Sequence, residues 1–295
     1  DFSRSRGLGD VYKRQHASTM FDHFFLNGGN IFDTAYIYND GKSDKYLGNW
    51  ISANNISKEI IVLGKGAHTP NCEPEFIKSQ LVESLERLKL ESLDIYCLHR
   101  DNLNIPVGEF VDALNDIQSE GLISLIGASN WTLERFKSAN EYADKNKKIG
   151  FKVLSNNFSL ANMNEPVWPG CVHCNDEYLN YLIENNISLF PWSSQARGFF
   201  LDKDLFPKAE HIANPSLEEE KRVWHDETNL KRREKCFQLA KDLKCLPIEL
   251  ALAYVVNKSP NIFPLVGPRS VYESESSIKA SSISLSEEQM NWLTS

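Results

Sequence analysis

Short apolar runs alternate along the chain with longer segments in which apolar residues recur every three or four positions. The short runs are mostly continuous rather than alternating, as expected for strands of a parallel sheet that is buried on both faces. They predict seven strands, at residues 30–34, 58–64, 92–99, 121–129, 151–157, 186–192 and 261–267.

The segments between these runs predict helices. In residues 74–90, Ile77, Leu81, Leu85 and Leu88 form one apolar stripe at helical spacing. Further helices are predicted over 106–120, after Thr132, over 230–244 and 247–257, and after the capping-box sequence that begins at Ser286. This alternation fits either a doubly wound open sheet or an eight-stranded β/α barrel, the TIM-barrel architecture.

The missing motifs and the N-terminus refine this choice. The sequence has neither a GxGxxG fingerprint nor a Walker A loop, which disfavours an open sheet that binds a nucleotide. A barrel needs an eighth strand, and its natural place is before His16. Residues 1–15 resemble translated adapter sequence, so we expect them to be non-native. We therefore predict one barrel domain over residues 16–295, possibly without its first strand.

Composition excludes several classes of protein. The chain has 32 Lys and Arg residues against 40 Asp and Glu residues, a net charge of −8, and no basic run longer than residues 231–233, which disfavours nucleic-acid binding. No apolar stretch approaches the roughly 18 residues of a membrane helix. Six cysteines in 295 residues do not indicate a disulfide scaffold. We expect a cytoplasmic protein that binds neither nucleic acid nor membrane.

Polar residues end or follow each of the first three predicted strands. Asp33 ends the first, with Tyr38 five residues later; Lys65 ends the second, and His99 ends the third. Each alone has a structural interpretation: a turn or cap, a loop aromatic, a solvent-facing amine, a hydrogen-bonded histidine. Because the carboxyl ends of barrel strands open onto one mouth, we expect all four to converge there.

Chemistry gives this quartet a function. A tyrosine has a pKa of about 10, too high for easy proton transfer at neutral pH, and a nearby ammonium favours the phenolate. A carboxylate can hold that ammonium, and a neutral imidazole can orient a carbonyl oxygen. Together they would protonate a carbonyl oxygen while a hydride reaches its carbon. None of them carries a hydride, so the quartet implies a nicotinamide cofactor.

The motifs resemble those of the aldo-keto reductase superfamily. Residues 28–51 look like the family signature, and VLGKGAH (62–68) and LDIYCLHRDN (93–102) look like its lysine and histidine segments. IGASN (126–130), FPWSSQARGFF (190–200) and VGPRS (266–270) resemble its cofactor-binding segments. The resemblance implies a β/α barrel and an NADPH-dependent oxidoreductase that reduces an aldehyde or ketone, with NAD the less favoured cofactor.

The resemblance also implies roles for individual residues. Tyr38 would be the general acid, Lys65 would lower its pKa, Asp33 would pair with Lys65, and His99 would orient the carbonyl. Arg269, assisted by Ser270, would hold the 2′-phosphate, although Glu273 stands where the family often has a second basic residue. The implied cofactor-binding residues are Ser129, Asn130, Ser155, Trp192, Ser193, Ser194, Gln195, Arg197, Gly198, Gly267, Arg269 and Ser270. Ser155 replaces a frequent Gln, and residues 202–226 could fold over the cofactor.

Other interpretations stay open. A protein of this fold could bind NADP(H) as a regulator or sensor with little turnover, and an unrelated β/α barrel such as a sugar-phosphate isomerase would leave Tyr38 and Lys65 unexplained. Cys171 and Cys174 have C-x₂-C spacing, but no second ligand pair is near in sequence, so we predict a loop on the substrate side and no metal. His68 is explained by loop position. The carbonyl substrate and the oligomeric state are not specified.

Overall fold

The structure, a computed structural model, describes residues 15–202 and 217–295. The segment predicted to be non-native, 1–15, thus lies outside the described residues except for Gln15, as do residues 203–216 of the segment predicted to fold over a cofactor. The chain divides into two compact units. The N-terminal unit runs to Ser129 and includes Glu134–Phe151, and the C-terminal unit comprises Asn130–Leu133 and Lys152–Ser295.

The N-terminal unit contains four parallel strands that pair in sequence order. They are β1 (Ile31–Asp33), β2 (Ile61–Gly66), β3 (Leu93–Leu98) and β4 (Ile123–Ala128). Helices follow or precede each strand: α1 (15–26), α2 (Lys42–Asn54), α3 (Pro74–Leu88), α4 (Val107–Ser119) and α5 (Leu133–Lys145). Each strand returns through a helix, which is the connection that parallel pairing requires.

Apolar burial explains these elements. Helix α3 buries the predicted stripe of Ile77, Leu81, Leu85 and Leu88, and its first residue is Pro74, which suits a first turn. Strand β2 is buried along nearly its whole length. The prediction of a parallel α/β fold is therefore confirmed for these elements.

The C-terminal unit contains two short parallel strands, β5 (Val153–Leu154) and β6 (Ser188–Leu189). Its helices are α6 (Asp176–Glu184), α7 (Leu217–Trp224), α8 (Glu227–Leu243), α9 (Pro247–Asn257), α10 (Val271–Ala280) and α11 (Glu287–Thr294). Helix α9 buries nine of its eleven residues, as its almost wholly apolar sequence indicates. Ser286 and Gln289 form the predicted capping box of α11.

The strand predicted over residues 261–267 is wrong. Only Ile262 bridges Leu189, while the amides of Phe263 and Leu265 donate to the carbonyls of Leu189 and Pro191. Pro264 lies between these two donors and has no N–H, so the segment cannot donate a ladder bond at this position to a strand on its other edge. Six strands are thus present among residues 15–202 and 217–295, and an eight-stranded barrel stays a prediction.

No helix in these ranges has the length and apolarity needed to cross a membrane.

Candidate active site

The parallel register brings three of the predicted catalytic residues to one edge of the N-terminal sheet. Asp33 is the last residue of β1, Lys65 is the penultimate residue of β2, and His99 directly follows β3. The His99 amide donates to the Gly66 carbonyl over 2.6 Å, and the Tyr36 amide donates to the Lys65 carbonyl over 2.8 Å. The backbone ladder thus continues past the strand ends and fixes where these residues emerge.

Lys65 and Asp33 form a buried ion pair in which only 2% of the lysine side chain and 20% of the aspartate side chain are exposed. Burial by itself would lower the pKa of Lys65, but the facing Asp33, through its charge and its hydrogen bond, raises that pKa above its usual value. The amine therefore stays an ammonium at neutral pH.

Tyr38 lies beside this ammonium. The Lys65 Nζ atom is 5.2 Å from the centre of the Tyr38 ring. Burial raises the pKa of Tyr38 above its ordinary value, and the Lys65 charge opposes this without offsetting it. The lysine thus acts in the direction expected from the sequence, but the net shift is upward because desolvation of a phenolate costs more than the ammonium returns. Tyr38 is accordingly a protonated phenol at neutral pH.

His99 also packs against Tyr38. The two ring centres are 5.4 Å apart, and the ring planes meet at 83°. Burial lowers the pKa of His99 well below its usual value, and the positive charges of Lys65 and Arg100 lower it further, with a contribution from His68. The imidazole is therefore neutral at physiological pH, as the sequence analysis assumed for a group that orients a carbonyl oxygen.

A second histidine, which the sequence analysis assigned to loop position, lies in the same cluster. The His68 ring centre is 4.8 Å from that of His99, with the planes at 75°. Its Nδ1 atom is 2.8 Å from the Thr69 carbonyl oxygen. Since a carbonyl only accepts, Nδ1 carries the hydrogen of this contact. The sequence could have indicated this position, because His68 comes shortly after β2 just as His99 comes after β3.

In the C-terminal unit, Trp192 follows β6 and lies against an exposed tryptophan. The Trp192 and Trp168 ring centres are 6.2 Å apart, and the guanidinium of Arg197 is 5.1 Å from the centre of the Trp168 ring. Arg197 also pairs with Glu219 over 3.0 Å. The indole Nε1 of Trp192 is buried and has no hydrogen-bond partner within residues 15–202 and 217–295. A buried indole N–H of this kind ordinarily has an acceptor, so the site fits a ligand that carries one.

The segment after Trp192 forms a tight turn. Ser193 and Arg197 have φ angles of 50° and 51°, and Gly198 has one of 93°. Ser194 Oγ donates to the Leu265 carbonyl over 2.8 Å, and the Gln195 side-chain amide is 3.5 Å from the Ile248 carbonyl. Turns that combine right- and left-handed residues can direct successive backbone N–H groups at an anion; that this segment lies along a pyrophosphate stays a prediction.

The IGASN segment places its last two residues in different units. The Ser129 amide donates to the Leu98 carbonyl over 2.7 Å in the N-terminal unit. Asn130 belongs to the C-terminal unit, where it has a φ angle of 60° and donates its amide to Asn156 Oδ1 over 2.6 Å. Ser155, which precedes Asn156, is buried. Asparagine tolerates this left-handed conformation better than most residues.

Gly267, Arg269 and Ser270 lead into α10. Ser270 Oγ accepts from the Glu273 amide over 3.2 Å, and the Glu273 carboxylate accepts from the Arg269 amide over 2.7 Å. The exposed side chain of Arg269 thus leaves the chain at the N-terminus of a ten-residue helix, where an anion is favoured. The amides of Arg269 and Glu273 already donate to side chains of this turn, so the guanidinium of Arg269 would have to make most of the contacts with a phosphate.

The loop that contains Cys171 and Cys174 has a structural role. Both thiols are buried, and His173 Nδ1 lies 2.9 Å from Asn157 Oδ1. The side-chain amide of Asn157 donates to the Trp192 carbonyl over 3.1 Å, so this loop supports the backbone of Trp192. Burial lowers the pKa of His173 to about 4. The described part of the chain contains no group of three side chains arranged to hold a metal.

Curated oxidoreductases are similar to this chain over most of its length. The sequence is 27% identical over 301 residues to a norsolorinic acid reductase of Emericella nidulans, covering 97% of this chain and 73% of that one. It is 24% identical over 321 residues to an NADP(+) aryl-alcohol dehydrogenase of Phanerodontia chrysosporium, covering 97% and 77%.

Among solved structures, an aldo/keto reductase from Klebsiella pneumoniae in complex with NADP and acetate shares the fold. Its TM-score is 0.69 at 18% identity, with 96% of this chain and 85% of that chain covered. The sequence model of the Aldo/keto reductase family matches residues 4–295. The chain therefore belongs to the aldo/keto reductase family.

Proposed function

We propose that the protein is an NADP(H)-dependent oxidoreductase that reduces an aldehyde or ketone to an alcohol. The observation that carries this proposal is the cluster in the N-terminal unit, where Tyr38 lies close to both the Lys65 ammonium and the His99 ring. A phenol beside a buried amine that is itself held by a carboxylate suits proton transfer to a carbonyl oxygen.

Proton delivery is the part of the reaction that these residues perform. Tyr38 holds its proton at neutral pH, because burial raises its pKa, and it donates that proton to the carbonyl oxygen as negative charge develops there. The Lys65 ammonium then stabilises the phenolate, and Asp33 keeps the amine charged and in place. Neutral His99 offers a ring N–H that orients the carbonyl oxygen without adding a charge to the buried site.

The residues of the C-terminal unit suit the cofactor. Trp192 offers an aromatic face and an indole N–H that has no partner among the residues that the structure describes. The turn over residues 193–198 suits a pyrophosphate, and Arg269 suits a 2′-phosphate. NADPH, when bound, supplies the hydride that reduces the carbonyl carbon. Support for NADP over NAD comes from Arg269 and from the solved relatives, whose descriptions name NADP and NADPH.

The relatives suggest where to look for the substrate. Several are described as aryl-alcohol dehydrogenases, and others as norsolorinic acid reductases. We therefore propose an aromatic aldehyde or ketone as the substrate class. The exposed Trp168 ring, tilted by 39° against the ring of Trp192, suits a partner that is flat and apolar.

The test is turnover by the purified protein. We expect loss of NADPH absorbance with benzaldehyde-type substrates, and a fall of at least about 1,000-fold in kcat in Tyr38→Phe, because general acid catalysis contributes on this scale. Tyr46→Phe, which removes a phenol from neighbouring helix α2, is the matched control and should retain the wild-type rate. Full activity in Tyr38→Phe, or tight NADPH binding without turnover on any carbonyl, would contradict the proposal.

A further inference from the structure

The segment that carries Tyr38 has an unusual backbone. Between β1 and α2, Asn39, Asp40 and Gly41 follow Tyr38 with φ angles of 52°, 54° and 76°. Consecutive left-handed residues are costly for side chains other than glycine, and such conformations persist only where surrounding contacts hold them. The position of Tyr38 therefore depends on what grips this segment.

Arg87, on helix α3, supplies one grip. Its NH1 donates to the Tyr36 carbonyl over 2.9 Å, and its guanidinium stacks 4.7 Å from the centre of the Tyr36 ring. Its NH2 pairs with Glu83, whose other carboxylate oxygen accepts from the Tyr36 hydroxyl over 3.0 Å. The Arg87 guanidinium thus holds Tyr36, two positions before Tyr38, by its backbone carbonyl and by its ring. Glu83, which pairs with Arg87, holds the Tyr36 hydroxyl.

Asp44, at the start of α2, supplies the other grip. Its side chain is fully buried, and its two oxygens accept from Thr34 Oγ1 over 2.5 Å and from Ser84 Oγ over 2.9 Å. Thr34 is the residue after Asp33. Arg87 NH1 lies 3.8 Å from the same carboxylate, so Arg87 and Asp44 also form an ion pair with each other.

The turn itself packs on this pair. A Cβ atom on Gly41 would lie 2.5 Å from the guanidinium carbon of Arg87, which is within the distance that real contacts avoid. The absence of a side chain at Gly41 thus lets the left-handed turn close directly against the guanidinium.

We propose that Arg87 and Asp44 are positioning residues that hold Tyr38 in place for proton transfer; this inference rests on the proposed reductase function. Arg87 and Asp44 hold the segment before the phenol, at Tyr36 and Thr34, and Arg87 also lies against Gly41 after it; neither residue supplies the proton. A lysine at position 87 keeps the charge but cannot donate to Tyr36, pair with Glu83 and stack on the ring together, because only guanidinium is a planar fork.

A double-mutant cycle of Arg87→Lys with Tyr38→Phe tests this. We expect Arg87→Lys to lower kcat about 10- to 100-fold, since a misplacement of about 1 Å has an effect of this size. The KM for the carbonyl and the Kd for NADPH should change by less than about threefold. In the Tyr38→Phe background, Arg87→Lys should have no further effect, because the group it positions is gone. Additive losses would overturn the proposal.

The control is Lys78→Gln on the same helix. Lys78 pairs with Glu120 at the surface, where about half of each side chain is exposed, so its loss should leave kcat unchanged. Tyr36→Phe is a milder second variant that removes only the hydroxyl bond to Glu83. It should lower kcat by about two- to fivefold and should also have no effect once Tyr38 is Phe. A Tyr36→Phe loss that persists in that background would count against the proposal.

Deuterium exchange separates this proposal from the proposed function. The amides of Tyr38, Gly41 and Ser43 donate to carbonyls within the segment, over 2.9, 3.1 and 3.4 Å. We expect Arg87→Lys to speed their exchange by at least about tenfold, while Lys78→Gln leaves it unchanged. This readout needs no turnover, so an inactive wild-type protein would refute the reductase function alone. Unchanged exchange in Arg87→Lys would refute the positioning role alone.

Discussion

Lys65 and Asp33 form their ion pair at the carboxyl ends of two adjacent parallel strands, and the lysine side chain is almost completely buried there. An ammonium in such a place stays charged only because a carboxylate faces it. The pair therefore carries the charge on which the chemistry of Tyr38 depends.

Removing that carboxylate should change the pH dependence of the reaction. In Asp33→Asn, burial is no longer offset, so the pKa of Lys65 should fall from its raised value. As pH rises, Lys65 would lose its proton earlier than in the wild type, and the phenolate of Tyr38 would lose its partner. We expect the decline of kcat on the alkaline side to move to lower pH, measured from pH 6 to 10. Asp40→Asn, an exposed change in the same segment, should keep the wild-type pH profile. If Asp33→Asn and Asp40→Asn gave the same pH profile, the role assigned to Asp33 would be contradicted.

His173 should make the protein less stable in acid. Its pKa is lowered to about 4 in the folded state, so between about 6.5 and 4 the unfolded chain binds a proton that the folded chain does not. Stability from this group is present above pH 6.5 and is lost as pH falls toward 4, by up to about 3 kcal/mol at about 1.4 kcal/mol per pKa unit.

The variant His173→Asn isolates this effect, because an asparagine amide can still donate to Asn157. Urea unfolding at pH 7 and pH 5 should show a smaller acid loss in His173→Asn than in the wild type. The exposed His16→Asn is the control and should follow the wild type. An equal loss in all three proteins would exclude His173 as the source.

Arg269 should decide the preference for the phosphorylated cofactor. We expect Arg269→Ala to raise the Kd for NADPH about 10- to 100-fold and to leave the Kd for NADH within about twofold, because a guanidinium–phosphate contact is worth a few kcal/mol. Fluorescence titration measures both constants. Lys279→Ala removes a positive charge from the last turn of the same helix and should change neither. Equal weakening of both cofactors would place Arg269 elsewhere than at the 2′-phosphate.

Gly66 should not tolerate a side chain. A Cβ atom there would lie 2.0 Å from the Tyr96 hydroxyl and 3.0 Å from Gln80 Oε1. The Tyr96 hydroxyl is buried and has no hydrogen-bond partner in the described part of the chain, so it can be removed at little cost.

We accordingly expect Gly66→Ala to lower the free energy of unfolding by about 2 kcal/mol or more through overpacking. The double variant with Tyr96→Phe should recover most of that loss, and Tyr96→Phe alone should be close to neutral. Chemical denaturation measures all three. If Gly66→Ala is as stable as the wild type, the close approach of these two residues is not present.

The sequence predicted where the strands lie better than how long they are. The four strands of the N-terminal unit lie within their predicted runs or extend them by up to two residues, because each coincides with an apolar run whose residues are mostly buried or half-buried. The predicted runs over 151–157 and 186–192 each yield a strand of only two residues. In the first run, the side chains of Asn156 and Asn157 make bonds to Trp131, Trp192 and the Asn130 amide, and such bonds compete with a ladder.

The sequence by itself determined the parallel α/β class and the order in which Asp33, Tyr38, Lys65 and His99 appear, because hydrophobic periodicity and residue chemistry are local properties. The tertiary structure alone decided that burial raises the pKa of Tyr38 despite Lys65, that His68 joins His99, and that Arg87 and Asp44 grip the segment around Tyr38. Desolvation and packing depend on residues distant in sequence, so no local pattern records them.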